Sequence, residues 1–378
     1  MKPRSRIFVL LTCLITAGAG GAAYLAAGTT QGPILVDSPE ALARAIEGSE
    51  GNTLILLSPG YYSAVVIQAS KSPRKLVLES ADPAHPAILG GIKIAKTSDV
   101  TMRNLTVQRG TNSIASDYLI EIANSRDIRL ISLVVRGTGE EERGRQYGAW
   151  IRGGGNVQIS DCRFSDSRYG IGMLNTENVT IRFNEFRNLQ TDGIRGGGIN
   201  NLTISENILG DFSPKAGEHP DGIQLWSTNQ KVAAKNITIR DNLVVRNRGG
   251  IIQGIFVRDT NNMLPFEDLT VSGNLTIGTM YNGISLTGIL RGTVVDNQVY
   301  GYPDMKSWVS LSEAKQTTVR GNKAMLFLSR DGSVNIDSSN KIIARLKSGS
   351  LTPVAAWRAQ KPSFLGKSMP YLDELSRP

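Results

Sequence analysis

The chain is poor in several residue types that would otherwise dominate a reading of its sequence. It has two cysteines, Cys13 and Cys162, and two histidines, His85 and His219, in 378 residues. Cys13 falls in an N-terminal apolar segment, so the remainder holds one thiol and no intramolecular disulfide; its stability must come from packing. Aromatic residues make up only 6% and charged residues 20%, while 40 glycines suit many short strands and turns better than long helices. One long apolar run stands out, from Ile7 to Ala27 behind Lys2, Arg4 and Arg6. This pattern predicts that residues 1–30 are a signal peptide or N-terminal anchor, which places the rest in the periplasm or outside the cell. Membrane contact is expected only if that segment is uncleaved. Removing its three cations from the formal charge of +9 leaves about +6. A basic exported surface points to an anionic polysaccharide partner, not to nucleic acid, and to a monomer.

From residue 53 onward a short skeleton recurs: an alternating tetrapeptide, a polar pair ending in asparagine, then Gly-Ile. The tetrapeptides lie at 99–102, 127–130, 156–159, 178–181, 201–204, 236–239 and 268–271, each alternating inward and outward side chains. The asparagines that follow, Asn104, Asn184, Asn207, Asn242, Asn274, Asn297 and Asn322, are read as an internal ladder whose members tolerate the left-handed backbone of a tight corner. From Asn184 onward the spacings are 23, 35, 32, 23 and 25 residues, so two turns carry insertions, which in a solenoid emerge as loops. Leucine-rich repeats need helices between strands, and these loops lack apolar three-to-four periodicity. A propeller needs longer blades. The expected fold is therefore all-β, a right-handed single-stranded parallel β-helix solenoid over residues 31–348. A short N-terminal capping helix is expected over residues 39–47, and a tail at 349–378 that folds back as the other cap.

Aligning the Gly-Ile pairs stacks equivalent residues about 4.8 Å apart. One outward column is Tyr147, Tyr169, Asp192, Asp221, Gln253 and Asn282. A second is Trp150, Gly172, Arg195, Gln224, Phe256 and Ser285. A third is Arg152, Leu174, Gly197, Trp226, Arg258 and Thr287. Between them Ile171, Ile194, Ile223, Ile255 and Ile284 form an inward stack. The insertion at 211–220 (DFSPKAGEHP) brings Lys215, Glu218 and His219 beside the two aspartates. Two stacked carboxylates repel, so one must hold a proton or a cation must lie against them; such tension on an exposed sheet marks a catalytic or metal site. Asp192, Asp221, His219 and Arg195 are the expected catalytic residues. His219 suits acid or base work near neutral pH. Tyr147, Trp150, Tyr169 and Trp226 offer flat faces to sugar rings, and Gln224, Lys215 and Arg258 complete the expected substrate surface. Gly196, Gly197 and Gly198 are expected to open a groove.

Residues 37–60 (DSPEALARAIEGSEGNTLILLSPG), followed by Tyr61 and Tyr62, resemble the opening of secreted parallel β-helix proteins such as pectate lyases and polysaccharide epimerases. The series TDGI at 191–194, PDGI at 220–223 and QGI at 253–255 resembles the polygalacturonases, whose Asn-Thr-Asp, Asp-Asp and Gly-His-Gly motifs occupy successive rungs. Asp192 and Asp221 match aspartates of that pattern; Pro220 and Gln253 depart from it, and the family's Arg-Ile-Lys motif is missing. The resemblance to β-helix lyases and epimerases implies abstraction of the C5 proton of a uronate after its carboxylate is neutralised by Ca²⁺ or arginine. Asp192 and Asp221 would then hold Ca²⁺ or orient the base. The expectation is a polysaccharide lyase acting by β-elimination on an acidic polysaccharide, with a polygalacturonase-like hydrolase, a C5-epimerase and a non-catalytic glycan-binding β-helix as the alternatives.

Overall fold

The computed structural model describes residues 32–69, 74–110, 116–139 and 145–377, so the expected export segment and Cys13 lie outside the described residues. Strands pair in parallel from Ile34–Val36 to Lys341–Ile342, in one sheet of 19 strands and a second of 12. The long strands bend through a corner: Tyr147–Ser160 turns at Gly153 and Gly154, where φ is 65° and 74°. Each turn thus has three flat faces, the first carrying the three outward columns.

The aliphatic positions drive the coil. Ile171, Ile194, Ile223, Ile255 and Ile284 lie in register on successive rungs and are fully buried. Val157, Val179, Leu202, Ile237 and Leu269 make a second inward stack. Each such side chain contributes about 1.5–3 kcal/mol on burial. At the N-terminal end, helix α1 (Pro39–Glu47) starts at Ser38, whose Oγ accepts the Ala41 N–H at 3.3 Å. It buries Leu42 and Ile46 against the open core, as a solenoid end requires.

The asparagine ladder runs unbroken from Asn184 through Asn207, Asn242, Asn274, Asn297 and Asn322 to Asn340, each side-chain amide donating to the next at 2.9–3.0 Å. Two expectations are corrected. The left-handed corner is taken by the preceding residue, at Phe183, Glu206, Asp241 and Asp296 among others, because the ladder side chain must point inward. Asn104 is one of these corner residues, with φ 54°, and its amide donates outward to Glu79 at 3.0 Å. Cys162 occupies the rung before Asn184, its N–H donating to the Asn184 Oδ1 at 2.9 Å, and burial pushes its thiol up to about 12.

The tail does not close the C-terminal end. Helices α2 (Pro353–Ala359) and α3 (Pro370–Leu375) run back along the flank of the solenoid, packing Trp357, Phe364, Tyr371 and Leu372 on Ile208, Leu243, Leu275 and Ile277. The short strands Ile208–Gly210, Leu243–Val245 and Leu275–Ile277 are buried on both faces, so their outward apolar side chains need a cover. Glu185, buried there, accepts the Tyr371 and Leu372 N–H groups at 2.7 and 3.2 Å.

Candidate functional site

The outward columns of the first face stack as the repeat predicts. Trp150, Gly172, Arg195, Gln224, Phe256 and Ser285 are register partners rung by rung, as are Arg152, Leu174, Gly197, Trp226, Arg258 and Thr287. Asp192 and Asp221, however, are only 4% and 2% exposed; they point away from the solenoid core yet lie beneath other side chains.

Their contacts divide the pair into two roles. Both Asp192 oxygens are engaged: Oδ1 accepts the Asp221 N–H at 3.0 Å and Oδ2 the Arg195 guanidinium at 2.9 Å. Asp221 Oδ2 accepts from Gln224 Nε2 at 2.6 Å, while its Oδ1 is buried with no partner. Burial first, and then the neighbouring Asp192 charge, push the Asp221 carboxyl well above the carboxylate range, against the pull of Gln224 and Arg195. Asp192 is also raised by burial, with Arg195, the Asp221 N–H and Arg168 pulling it back. The stable arrangement is therefore an ionised Asp192 paired with Arg195 and a protonated Asp221. Asp221 is then a neutral acid and Asp192 a fixed counter-ion.

Arg195 is half-buried, its side chain 32% exposed against 6% for Asp192. Its guanidinium lies 5.0 Å from the Trp226 ring centroid and 5.6 Å from that of Tyr169, so cation–π contacts hold it from two sides. Tyr169, expected to offer its face to a sugar ring, is instead only 6% exposed, covered within an aromatic cluster with Tyr147 at 4.7 Å and Trp150 at 6.5 Å. Tyr118 joins it, stacked on Trp150 at 5.7 Å and 15°. Sequence reasoning missed Tyr118 because its rung lacks the Gly-Ile pair used for alignment, although it pairs in register with Tyr147.

Glycines make the tryptophans lie flat. A Cβ on Gly172 would come 2.5 Å from Trp150 and 2.9 Å from Tyr169, and one on Gly197 would come 2.8 Å from Trp226 Nε1. The expected open groove at 196–198 is accordingly corrected: Trp226 fills the space over Gly197, Ile199 that over Gly196, and Gln230 with Asn175 that over Gly198. A missing side chain on a close-packed sheet is occupied by its neighbours.

The insertion at 211–220 is anchored by Glu218, which accepts Gln190 Nε2 at 2.7 Å and the Lys215 N–H at 2.8 Å. Lys215, His219 and Arg258 are exposed, and their side chains form no hydrogen bond or ion pair with described residues, so they border the Asp192–Arg195 cluster without joining it. The donor set fits Ca²⁺ poorly. No group of three His, Cys, Asp or Glu side chains able to hold a metal occurs among the described residues; Asp192 already bears a guanidinium, whereas Ca²⁺ takes six to eight oxygen ligands.

Residues 90–263 match the family model described as right handed beta helix region, and the chain folds as a right-handed parallel β-helix. No curated protein sequence matches it. Among solved structures it is similar to the Streptococcus pneumoniae surface protein and adhesin PfbA, at 15% identity over 81% of this chain and 95% of that one, with a TM-score of 0.53. It is similar also to the Dettilon tailspike protein, at 14% identity over 84% of this chain and 65% of that one, with a TM-score of 0.54. A mannuronic acid specific polysaccharide family 6 lyase from human gut microbiota aligns at 12% identity over 90% of this chain and 98% of that one, with a TM-score of 0.45. At such identities a likeness speaks for the fold alone.

Proposed function

We propose that the protein is an exported carbohydrate-active enzyme that binds an acidic polysaccharide along its first face and cleaves it by β-elimination. The observation that carries this reading is Arg195, a half-buried guanidinium pinned by Asp192 between two aromatic rings, with a proton-holding carboxyl one rung away. A fixed guanidinium beside the partly accessible Trp226 face suits a sugar ring bearing a carboxylate.

In this scheme Arg195 neutralises the uronate carboxylate, which lowers the cost of charge developing at C5. His219, on the loop entering the Asp221 rung, takes the C5 proton. The released electron pair forms the C4=C5 double bond as the bond from C4 to the departing oxygen breaks, and Asp221, uncovered as substrate displaces Gln224, protonates that oxygen. The products are an unsaturated uronate end and a new reducing end; proton return from His219 to Asp221 restores the starting state. Asp192 positions Arg195 and does not touch substrate. An inverting hydrolase would need a carboxylate free to activate water, and both Asp192 oxygens are occupied. The extracytoplasmic location is part of the proposal and rests on the pattern of residues 1–30.

Incubation with a panel of uronate polymers is expected to release products with the ultraviolet absorbance of the new double bond, and Arg195→Ala to abolish them. Reducing ends without that absorbance would replace elimination by hydrolysis. C5 proton exchange at constant chain length would replace it by epimerisation. Binding without any chemistry would leave a glycan-binding platform.

A further inference from the structure

The first outward column does not end at Gln253. Asn282 is the next member, and its register partner on the following rung is Trp308. Trp308 is half-buried, stacked on Tyr281 with ring centroids 5.1 Å apart and planes 26° apart. Arg330 lies 5.7 Å from the Trp308 ring centroid, its Nε donating to Ser310 Oγ at 2.9 Å. A second assembly of guanidinium and two aromatic rings thus stands on the same face as Arg195 with Tyr169 and Trp226.

Two features separate this platform from incidental surface packing. Tyr281 is 44% exposed although its backbone has φ 47°, a conformation unfavourable for a bulky aromatic residue and characteristic of ligand clamps when it is maintained. It lies at a register shift between Asn282 and Ile284, an irregularity of the kind that re-aims side chains. Second, the Trp308 ring is oriented from the side of the cleavage site: its Nε1 donates to Asn282 Oδ1 at 3.3 Å, and Asn282 Nδ2 donates to Gln253 Oε1. Gln253 is the register partner of Asp221.

We infer that Trp308, Tyr281 and Arg330 form a distal sugar-binding subsite for the same acidic chain, which makes the protein a binder of long oligosaccharides and an internal cleaver of polymers. The inference rests on the proposed function. Trp308 is three rungs beyond Asp221, roughly 14 Å, and Tyr118 is seven rungs before Trp308, roughly 34 Å. A chain cleaved near Asp221 must extend beyond it over those three rungs to reach Trp308. A trisaccharide held at Arg195 falls short, whereas an octasaccharide reaches.

The test uses tri- and octagalacturonate and the matching oligomannuronates, with affinity measured calorimetrically on a background of His219→Ala to suppress turnover. Trp308→Ala should weaken octasaccharide binding at least tenfold while changing trisaccharide binding less than twofold, and Trp308→Phe should restore most of the loss. Arg195→Ala should weaken both lengths. If Arg195→Ala weakens both but Trp308→Ala weakens neither, the distal subsite is refuted and the proposed site stands. If Trp308→Ala weakens both lengths equally, the effect is structural and the subsite is likewise refuted. If the protein binds no oligomer of either type, both readings fall.

Discussion

Asp221→Asn is expected to make the protein more stable while removing its activity. Asparagine has the shape of the protonated carboxyl; its oxygen can accept from Gln224, and its NH₂ replaces the protonated Oδ1, which has no partner among the described residues. Two unit charges one rung apart, ~4.8 Å, repel by about 3.5 kcal/mol at an effective dielectric constant of ~20. Arg195, 2.9 Å from Asp192, offsets part of this. The sign follows from proton linkage. Asp221 is raised in the folded protein, so the folded state retains a proton that the unfolded chain releases near pH 3.9. Wild-type stability therefore falls as pH rises from that value through the folded pKa, whereas the asparagine variant cannot lose the proton. By linkage the variant should gain at pH 8 about 1.4 kcal/mol for each pH unit by which the folded pKa exceeds 3.9, and almost nothing at pH 4. Urea midpoints compared at the two pH values measure this without requiring strict two-state unfolding. A loss of more than about 1 kcal/mol at pH 8, or a difference independent of pH, would refute a protonated Asp221.

Two further changes probe the scaffold. Asn242→Ala removes the acceptor of the Asn207 N–H and the donor to the Ile204 carbonyl; with both stranded in the core, urea denaturation should show a loss of about 2–4 kcal/mol, and a loss below about 1 kcal/mol would mean that water or a shifted side chain replaces the ladder contacts. Gly172→Ala should drive Trp150 and Tyr169 off the sheet, seen as altered near-ultraviolet circular dichroism and weakened polysaccharide retention with far-ultraviolet signal unchanged; an unaltered aromatic spectrum would show that the rings are not held as described.

The columns were legible in the sequence because Gly-Ile pairs fix both the period and the side-chain parity, so a residue's offset from the glycine decides its face. The burial of Asp192 and Asp221 was not, since offset gives direction but not cover, and the cover comes from Arg195, Gln224 and the anchored loop. The ladder asparagines were found, but their backbone was misassigned: corner and ladder are adjacent positions, and Asp, Asn, Gly, Glu and even Phe183 fill the first. Asn340 escaped because only 18 residues separate it from Asn322. The flank under the tail did leave a trace, since ILG, LVV and LTI lack the polar alternation of a strand with one wet face.

That tail alters what kind of object the solenoid is. Rungs that touch only their neighbours can open singly, like links in a zip fastener. Here Lys367 is tied to Asp161, Lys361 to Asp241 and Trp357 to the Gly273 carbonyl, so one segment spans more than 110 residues of coil. Loosening any rung in this stretch strains a shared brace, and the Asp192 and Asp221 rungs lie inside it. Under the proposed function, a polymer pulling on Arg195 is resisted by the braced block as a whole, which keeps guanidinium, acid and aromatic faces in mutual register under load.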